Sequence, residues 1–199
     1  MTDPKVNSIL DEANRLFLQG KLQDAIIYYD KILNENPQHV SSLNNKGYAL
    51  SKLKDFDNAM KCYDDALKIF PDDLAVLVNK ISLLRKQGNF TKALSICNAI
   101  LNTNPKYNTI LYHKERILFS MGNFDESILC CNEILDDYPD NGDVLFDKSC
   151  SFVMLSKNNE ALNLLERAIS HGIQYKIKAK KSKLFEKLLD DSRFQNLLL

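Results

Sequence analysis

Four prolines, Pro37, Pro71, Pro105 and Pro139, follow one another at intervals of 34 residues. A constant period of this length marks a supersecondary unit copied in tandem. A unit of that size cannot bury an apolar face alone, so the copies must stack against each other. The chain is therefore predicted to be a row of helix pairs. Stacked helix pairs present binding surfaces far more often than catalytic centres.

The windows ending at the prolines overlay directly. They read GKLQDAIIYYDKILNENP (20–37), KDFDNAMKCYDDALKIFP (54–71), GNFTKALSICNAILNTNP (88–105) and GNFDESILCCNEILDDYP (122–139). A fifth, SKNNEALNLLERAISHGI (156–173), keeps the apolar pattern but has neither the glycine nor the proline. One column holds Ala25, Ala59, Ala93, Ser127 and Ala161. Four residues on stand Tyr29, Tyr63, Cys97, Cys131 and Leu165, on the same helical face. The small residue admits a neighbouring helix, and the larger one fills the space a turn later. Upstream of each window lies a second amphipathic pattern, including Leu43, Gly47 and Leu50 in the second unit and Leu145, Ser149 and Phe152 in the fifth. Asp3-Pro4 reads as the start of the first helix, an N-cap acceptor before a proline. Gly20, Gly88 and Gly122 fall where each first helix should turn, because glycine takes a left-handed C-terminal conformation cheaply. Each proline stops a second helix, since it has no N–H donor and crowds the preceding turn.

These residues resemble the tetratricopeptide repeat (TPR). The resemblance covers five units, 6–39, 40–73, 74–107, 108–141 and 142–175. The second matches best, with Leu43, Gly47, Leu50, Ala59, Tyr63, Ala66 and Pro71 at the signature positions. Ile81 and Glu115 depart from it, standing where the first helix usually carries a small residue, so looser or shifted packing is expected in units three and four. Residues 176–199 do not continue the repeat. Ile177, Leu184, Leu188 and Phe185 are read as an apolar stripe with lysines opposite, and Asp190-Asp191-Ser192 as the cap of a short last helix. This segment resembles the one that closes a group of such repeats. The resemblance implies an all-α, right-handed superhelical solenoid of five antiparallel helix pairs with C-terminal capping helices.

Composition narrows the function. The 26 Lys and Arg residues balance 26 Asp and Glu residues, so the basic excess of a nucleic-acid-binding protein is missing. Six lysines between 176 and 187 are read as the solvated face of the cap, because no aromatic side chains interleave with them for base stacking. No apolar run is long enough to span a bilayer, and the N-terminal MTDPKVNSIL has no basic start followed by an apolar stretch. A cytoplasmic protein without nucleic-acid or membrane partners is expected. Five cysteines, an odd number, argue against a disulfide framework. Cys97 and Cys131 are predicted to be core filler, with Cys62 and Cys130 partly exposed. Cys130 and Cys131 are adjacent, which suits no zinc pair, and His39, His113 and His171 are scattered. Phosphate-loop, dinucleotide and nucleophile-elbow motifs are all missing. Neither a cofactor, a metal nor enzyme activity is expected.

The resemblance implies that first helices line a concave groove, and that contacts to a peptide come from positions off the core stripe. By register these include Asn14, Asn44, Tyr48, Arg85, Tyr112, Arg116 and Phe146. Asn14, Asn44 and Asn79 would hydrogen-bond a peptide backbone. Arg85 and Arg116 would pair a carboxylate, and Tyr48, Tyr112 and Phe146 would be rigid anchors. Phe17, Phe119 and Val153 are read as packing between repeats. Leu10 and Ala75 stand where a clamp for a chaperone's C-terminal carboxylate would need basic residues. Two functions follow: a protein-interaction module holding a peptide or helix of a partner, or a structural unit that self-associates through an uncapped end.

Overall fold

The computed structural model describes residues 4–199, so the cap expected at Asp3 lies outside them. Among the described residues the chain is all-α, with no strand. Five helix pairs follow in order: α1 (Pro4–Leu18) and α2 (Leu22–Glu35), α3 (Val40–Lys52) and α4 (Phe56–Ile69), α5 (Leu74–Lys86) and α6 (Phe90–Thr103), α7 (Asn108–Met121) and α8 (Phe124–Asp137), α9 (Gly142–Met154) and α10 (Asn158–Ser170). Then come α11 (Ile173–Lys181), a 3-10 helix (Lys183–Leu188) and α12 (Ser192–Leu198).

The punctuation works as the period requires. Every second helix of the first four pairs ends two residues before its proline, where the residue preceding proline is driven out of the helical region. Three of the four following first helices are then capped by a side chain. The side chains of His39, Asp73 and Asn141 accept from the backbone N–H of Ser42, Val76 and Val144. Between the helices of a pair, Gly20, Gly88 and Gly122 have φ of 77°, 73° and 82°. Lys54 and Ser156 hold the same place in the other two pairs, and both are forced to positive φ, 65° and 59°.

The chain forms two compact units, Met1–Ala93 and Leu94–Leu199, with the boundary inside α6. In the first unit, one cluster gathers Ala13, Leu16, Ala25 and Tyr29. A second gathers Leu43, Leu50, Ala59, Cys62, Tyr63, Ala66, Val76 and Leu83. Gly47 is required there by close approach, since a Cβ on it would sit 2.7 Å from Tyr63 Cε1. The fully buried Tyr63 ring thus occupies the space a side chain on α3 would need.

In the second unit the core runs from Leu145 of α9 to Phe194 of α12. Phe146 stacks on Tyr175 with centroids 6.0 Å apart, and lies 5.8 Å from Phe185. Phe185 in turn stacks on Phe194 at 5.7 Å. The C-terminal segment is therefore a cap that covers the last pair. Asp191 caps α12, accepting from the N–H groups of Arg193 and Phe194. The stripe expected on a single helix is corrected. Ser182 is extended and splits α11 from the 3-10 helix, which shifts the register, so Ile177 faces solvent while Tyr175 and Ala179 are buried.

Two further expectations are revised. Cys62 and Cys130 are buried, at 8% and 4% exposure; Cys62 lies in a cluster with Val76 of the following repeat. Ile81 and Glu115 do not loosen their helices, being 0% and 1% exposed. The bulk is exchanged between the two columns. Gly47 goes with Tyr63, whereas Glu115 goes with the smaller Cys131, and the volume shared between the pair is kept.

Candidate interaction surface

The second unit carries the most developed polar constellation. Tyr112 and Arg116 are one turn apart on α7 and share a face. Arg116 Nη1 donates to Tyr112 Oη at 3.3 Å, and the guanidinium carbon lies 5.5 Å from the ring centroid. The ring is half-buried and the arginine exposed, so the aromatic face orients a cation that remains open to solvent. Burial pushes the Tyr112 phenol up to about 12. Asp147 on α9 completes the group. Burial raises its carboxyl above the ordinary value, while the charge of Arg116 and a hydrogen bond from Tyr112 oppose this. Nearby, Lys178 Nζ reaches Asp143 at 2.8 Å and sits 4.9 Å and 5.6 Å from the ring centroids of Tyr175 and Phe146.

The second unit also holds a buried polar group. Ser127 Oγ donates to Glu115 Oε1 at 2.9 Å and lies 3.0 Å from Ser151 Oγ. All three side chains are essentially buried. The Ser127 hydroxyl of α8, itself hydrogen-bonded to Ser151 of α9, helps to hold this carboxyl group in a core column.

The first unit is built differently, with a neutral ladder. Tyr29 Oη and Asn45 Nδ2 both donate to Asn14 Oδ1, at 2.8 and 3.0 Å. Asn79 Nδ2 donates to Asn44 Oδ1 at 2.9 Å. Asn14, Phe17, Leu18, Tyr29, Asn45 and Tyr48 line a pocket of about 220 Å³. Phe17 and Tyr48 lie 5.4 Å apart in it, and Lys52 Nζ is 5.3 Å from the Tyr48 centroid.

The residues selected by register thus divide. Tyr112 and Arg116 stand together on one exposed face. Phe146 is 8% exposed and anchors the cap. Asn14 and Asn44 use their carbonyl oxygens within the ladder, and Tyr48 lines the pocket. Arg85 lies in the last turn of α5, half-buried. Val153 is fully buried. Sequence reasoning passed over Asp143, Asp147 and Lys178. A signal for Asp147 existed: the column Asp11, Asn45, Asn79, His113, Asp147 is polar in every repeat.

No cysteine here is a poised nucleophile. Burial pushes the Cys62 and Cys130 thiols up to about 11 and Cys97 to about 12, with Cys131 and Cys150 higher still. All five are free. Among the described residues no group of three potential ligands could hold a metal ion, and no helix is long and apolar enough to cross a membrane.

Tandem helix pairs with glycine turns and proline stops, closed by a helical cap, define an α-helical repeat protein. The family model described as the tetratricopeptide repeat protein 21 N-terminal ARM repeat matches residues 4–128. The chain belongs to this tetratricopeptide-repeat family. No curated protein matches it in sequence. Solved structures do match. A tetratricopeptide repeat protein from Parabacteroides merdae shares 19% identity, covering 99% of this chain and 84% of its own, with a TM-score of 0.77. MamA from Desulfovibrio magneticus RS-1 shares 16%, covering 92% and 100%, with a TM-score of 0.74. YrrB, described as a TPR protein with an unusual peptide-binding site, shares 18%, covering 87% and 91%, with a TM-score of 0.64. At these identities the likeness is one of fold.

Proposed function

We propose that the chain is a non-catalytic protein-interaction module of the cytoplasm. Its second unit would hold an extended peptide on the face that carries Tyr112, Arg116 and Asp147. The observation that supports this is the exposed Arg116 guanidinium set over the Tyr112 ring and beside Asp147. A guanidinium held by a ring takes a carboxylate in a two-pronged geometry at low entropy cost. The half-buried ring supplies apolar area. Such a face suits a segment with one acidic and one apolar residue. Five free, buried thiols fit a reducing compartment, and YrrB, a protein of the same fold, has a peptide-binding site of its own.

The test is selection of displayed random dodecapeptides on the whole chain, followed by affinity measurements on Tyr112→Ala and Arg116→Ala. Peptides carrying an Asp or Glu should be enriched. Each substitution should weaken them about tenfold or more, the loss of one or two good contacts, while the melting temperature stays within a few degrees. Enriched peptides that bind both variants unchanged would remove this face from the binding site.

A further inference from the structure

A second column of the repeat carries a feature separate from that face. Positions 30, 64, 98, 132 and 166 read Asp, Asp, Asn, Asn, Glu. Each acid in it has a cation. Lys46 meets Asp30 at 2.5 Å, Lys80 meets Asp64 at 2.6 Å, and Arg193 of the cap meets Glu166 at 2.8 Å. The lysines recur at the same period as Lys46, Lys80, Lys114 and Lys148. Where the column turns to asparagine, the lysine has been kept and its acid removed. Lys114 and Lys148 make no ion pair, and the Asn98 and Asn132 amides make no side-chain hydrogen bond, among the described residues.

These lysines are not freely solvated. Both are half-buried, like Lys46 and Lys80, whose side chains are 24% and 23% exposed. Burial holds the Lys148 ammonium below its ordinary value, with Asp136 favouring and Arg167 opposing the charge. An ammonium that has lost part of its hydration gains most from an added carboxylate. Asparagine keeps the outline of aspartate, removes its repulsion towards an incoming anion, and adds an N–H donor. Lys114 lies two residues before Arg116, about 200° around α7, so this edge is distinct from the Tyr112 and Arg116 face.

We propose that Lys114 with Asn98, and Lys148 with Asn132, form two carboxylate-receiving sites one repeat apart on the second unit. They would bind an acidic protein segment whose Asp or Glu side chains take the positions that Asp30 and Asp64 occupy in the first unit. The first unit closes these positions with its own acids; the second leaves them for a partner.

The test uses a fluorescent hexaglutamate peptide in low salt. Exposed lysines of the cap would bind it too, so all proteins carry Lys180→Gln, Lys181→Gln and Lys183→Gln. In that background Asn98→Asp with Asn132→Asp should restore the internal pairs, weaken the peptide at least fivefold and raise the melting temperature. Lys114→Gln with Lys148→Gln should weaken it equally, and Lys61→Gln, at an exposed lysine of the first unit, should leave it within twofold. Equal affinity before and after Asn98→Asp with Asn132→Asp overturns the proposal. So does tripolyphosphate binding more tightly than hexaglutamate at the same residues, which would assign a phosphate-bearing partner instead.

Discussion

The two compact units are written in one repeat pattern but fill it with different chemistry. The first pairs asparagines across its repeats and seals the charges of Lys46 and Lys80 internally. Its asparagines bond to one another and to Tyr29, and its half-buried Lys46 and Lys80 hold their own aspartates. The second carries Glu115 in the core and Asp147 beside Arg116, and it keeps Lys114 and Lys148 where Asn98 and Asn132 stand in place of the aspartates. The difference teaches that a repeat's period fixes helices and core, while the fill of its polar columns sets which charges the chain pairs internally.

The largest test of that contrast concerns the core exchange. Tyr63 and Cys131 occupy equivalent columns, and both are fully buried. Tyr63→Ala leaves a ring-sized void beside Gly47, so a loss of about 3–5 kcal/mol is expected. Cys131→Ala removes one sulfur atom and should cost only about 1 kcal/mol. Chemical denaturation of both variants checks this. Similar losses would mean that the second unit does not compensate Glu115 with a smaller partner.

A smaller effect lies in the turns. Lys54 and Ser156 take the left-handed conformation that glycine takes at the equivalent three positions. Lys54→Gly and Ser156→Gly should each stabilise their unit by about 0.5–1 kcal/mol, since the side-chain penalty there exceeds glycine's entropic cost. The reverse change, Gly122→Ala, should destabilise. Thermal melts would show whether the two units respond alike. A drop for either glycine variant would mean that its lysine or serine makes a compensating contact.

How far the sequence carried these conclusions follows from the same physics. The helix pairs, the turns and the core columns were legible because each is repeated, and the period averages out the noise of any single unit. The cap was legible as apolar spacing, but its break was not. Ser182 leaves the helical region and caps the following 3-10 helix, its side chain accepting from the N–H of Leu184, and Ile177 is exposed. That Tyr112 and Arg116 share a face was legible because spacing by four sets two residues on one side of a helix. Phe146 met the same criterion yet is covered by Tyr175 and Phe185, side chains from a segment outside the repeat. Asp147 stands in a column that is polar in every repeat, but its charged neighbour Arg116 lies on another helix, and a column read by itself does not show that neighbour. Register finds faces; it does not find what covers them.

The smallest expected effect at neutral pH is also the one that separates the units most cleanly on titration. Glu12 in the first unit is hydrogen-bonded to Arg15 at 2.6 Å, and this holds its carboxyl below the ordinary value. Its contribution is present above the ordinary carboxylate range and is lost as the pH falls through its folded value. Asp147 in the second unit has the opposite sign. Burial raises its carboxyl, so the folded chain takes up that proton before the unfolded chain does. Stability withheld at neutral pH returns as the pH falls towards about 3.9, the value of an unperturbed aspartate. Asp147→Asn removes the buried charge and also the partner of Arg116, so the two effects should nearly cancel at pH 7. On acidification the wild-type chain should gain on Asp147→Asn and lose ground to Glu12→Gln. Melting temperatures of the three proteins between about pH 7 and about pH 2.5, which spans the lowered range of Glu12, decide this. Parallel slopes for the two variants would mean that Asp147 is no more buried in effect than a surface carboxylate, and would remove the basis for treating Arg116, Tyr112 and Asp147 as one preorganised group.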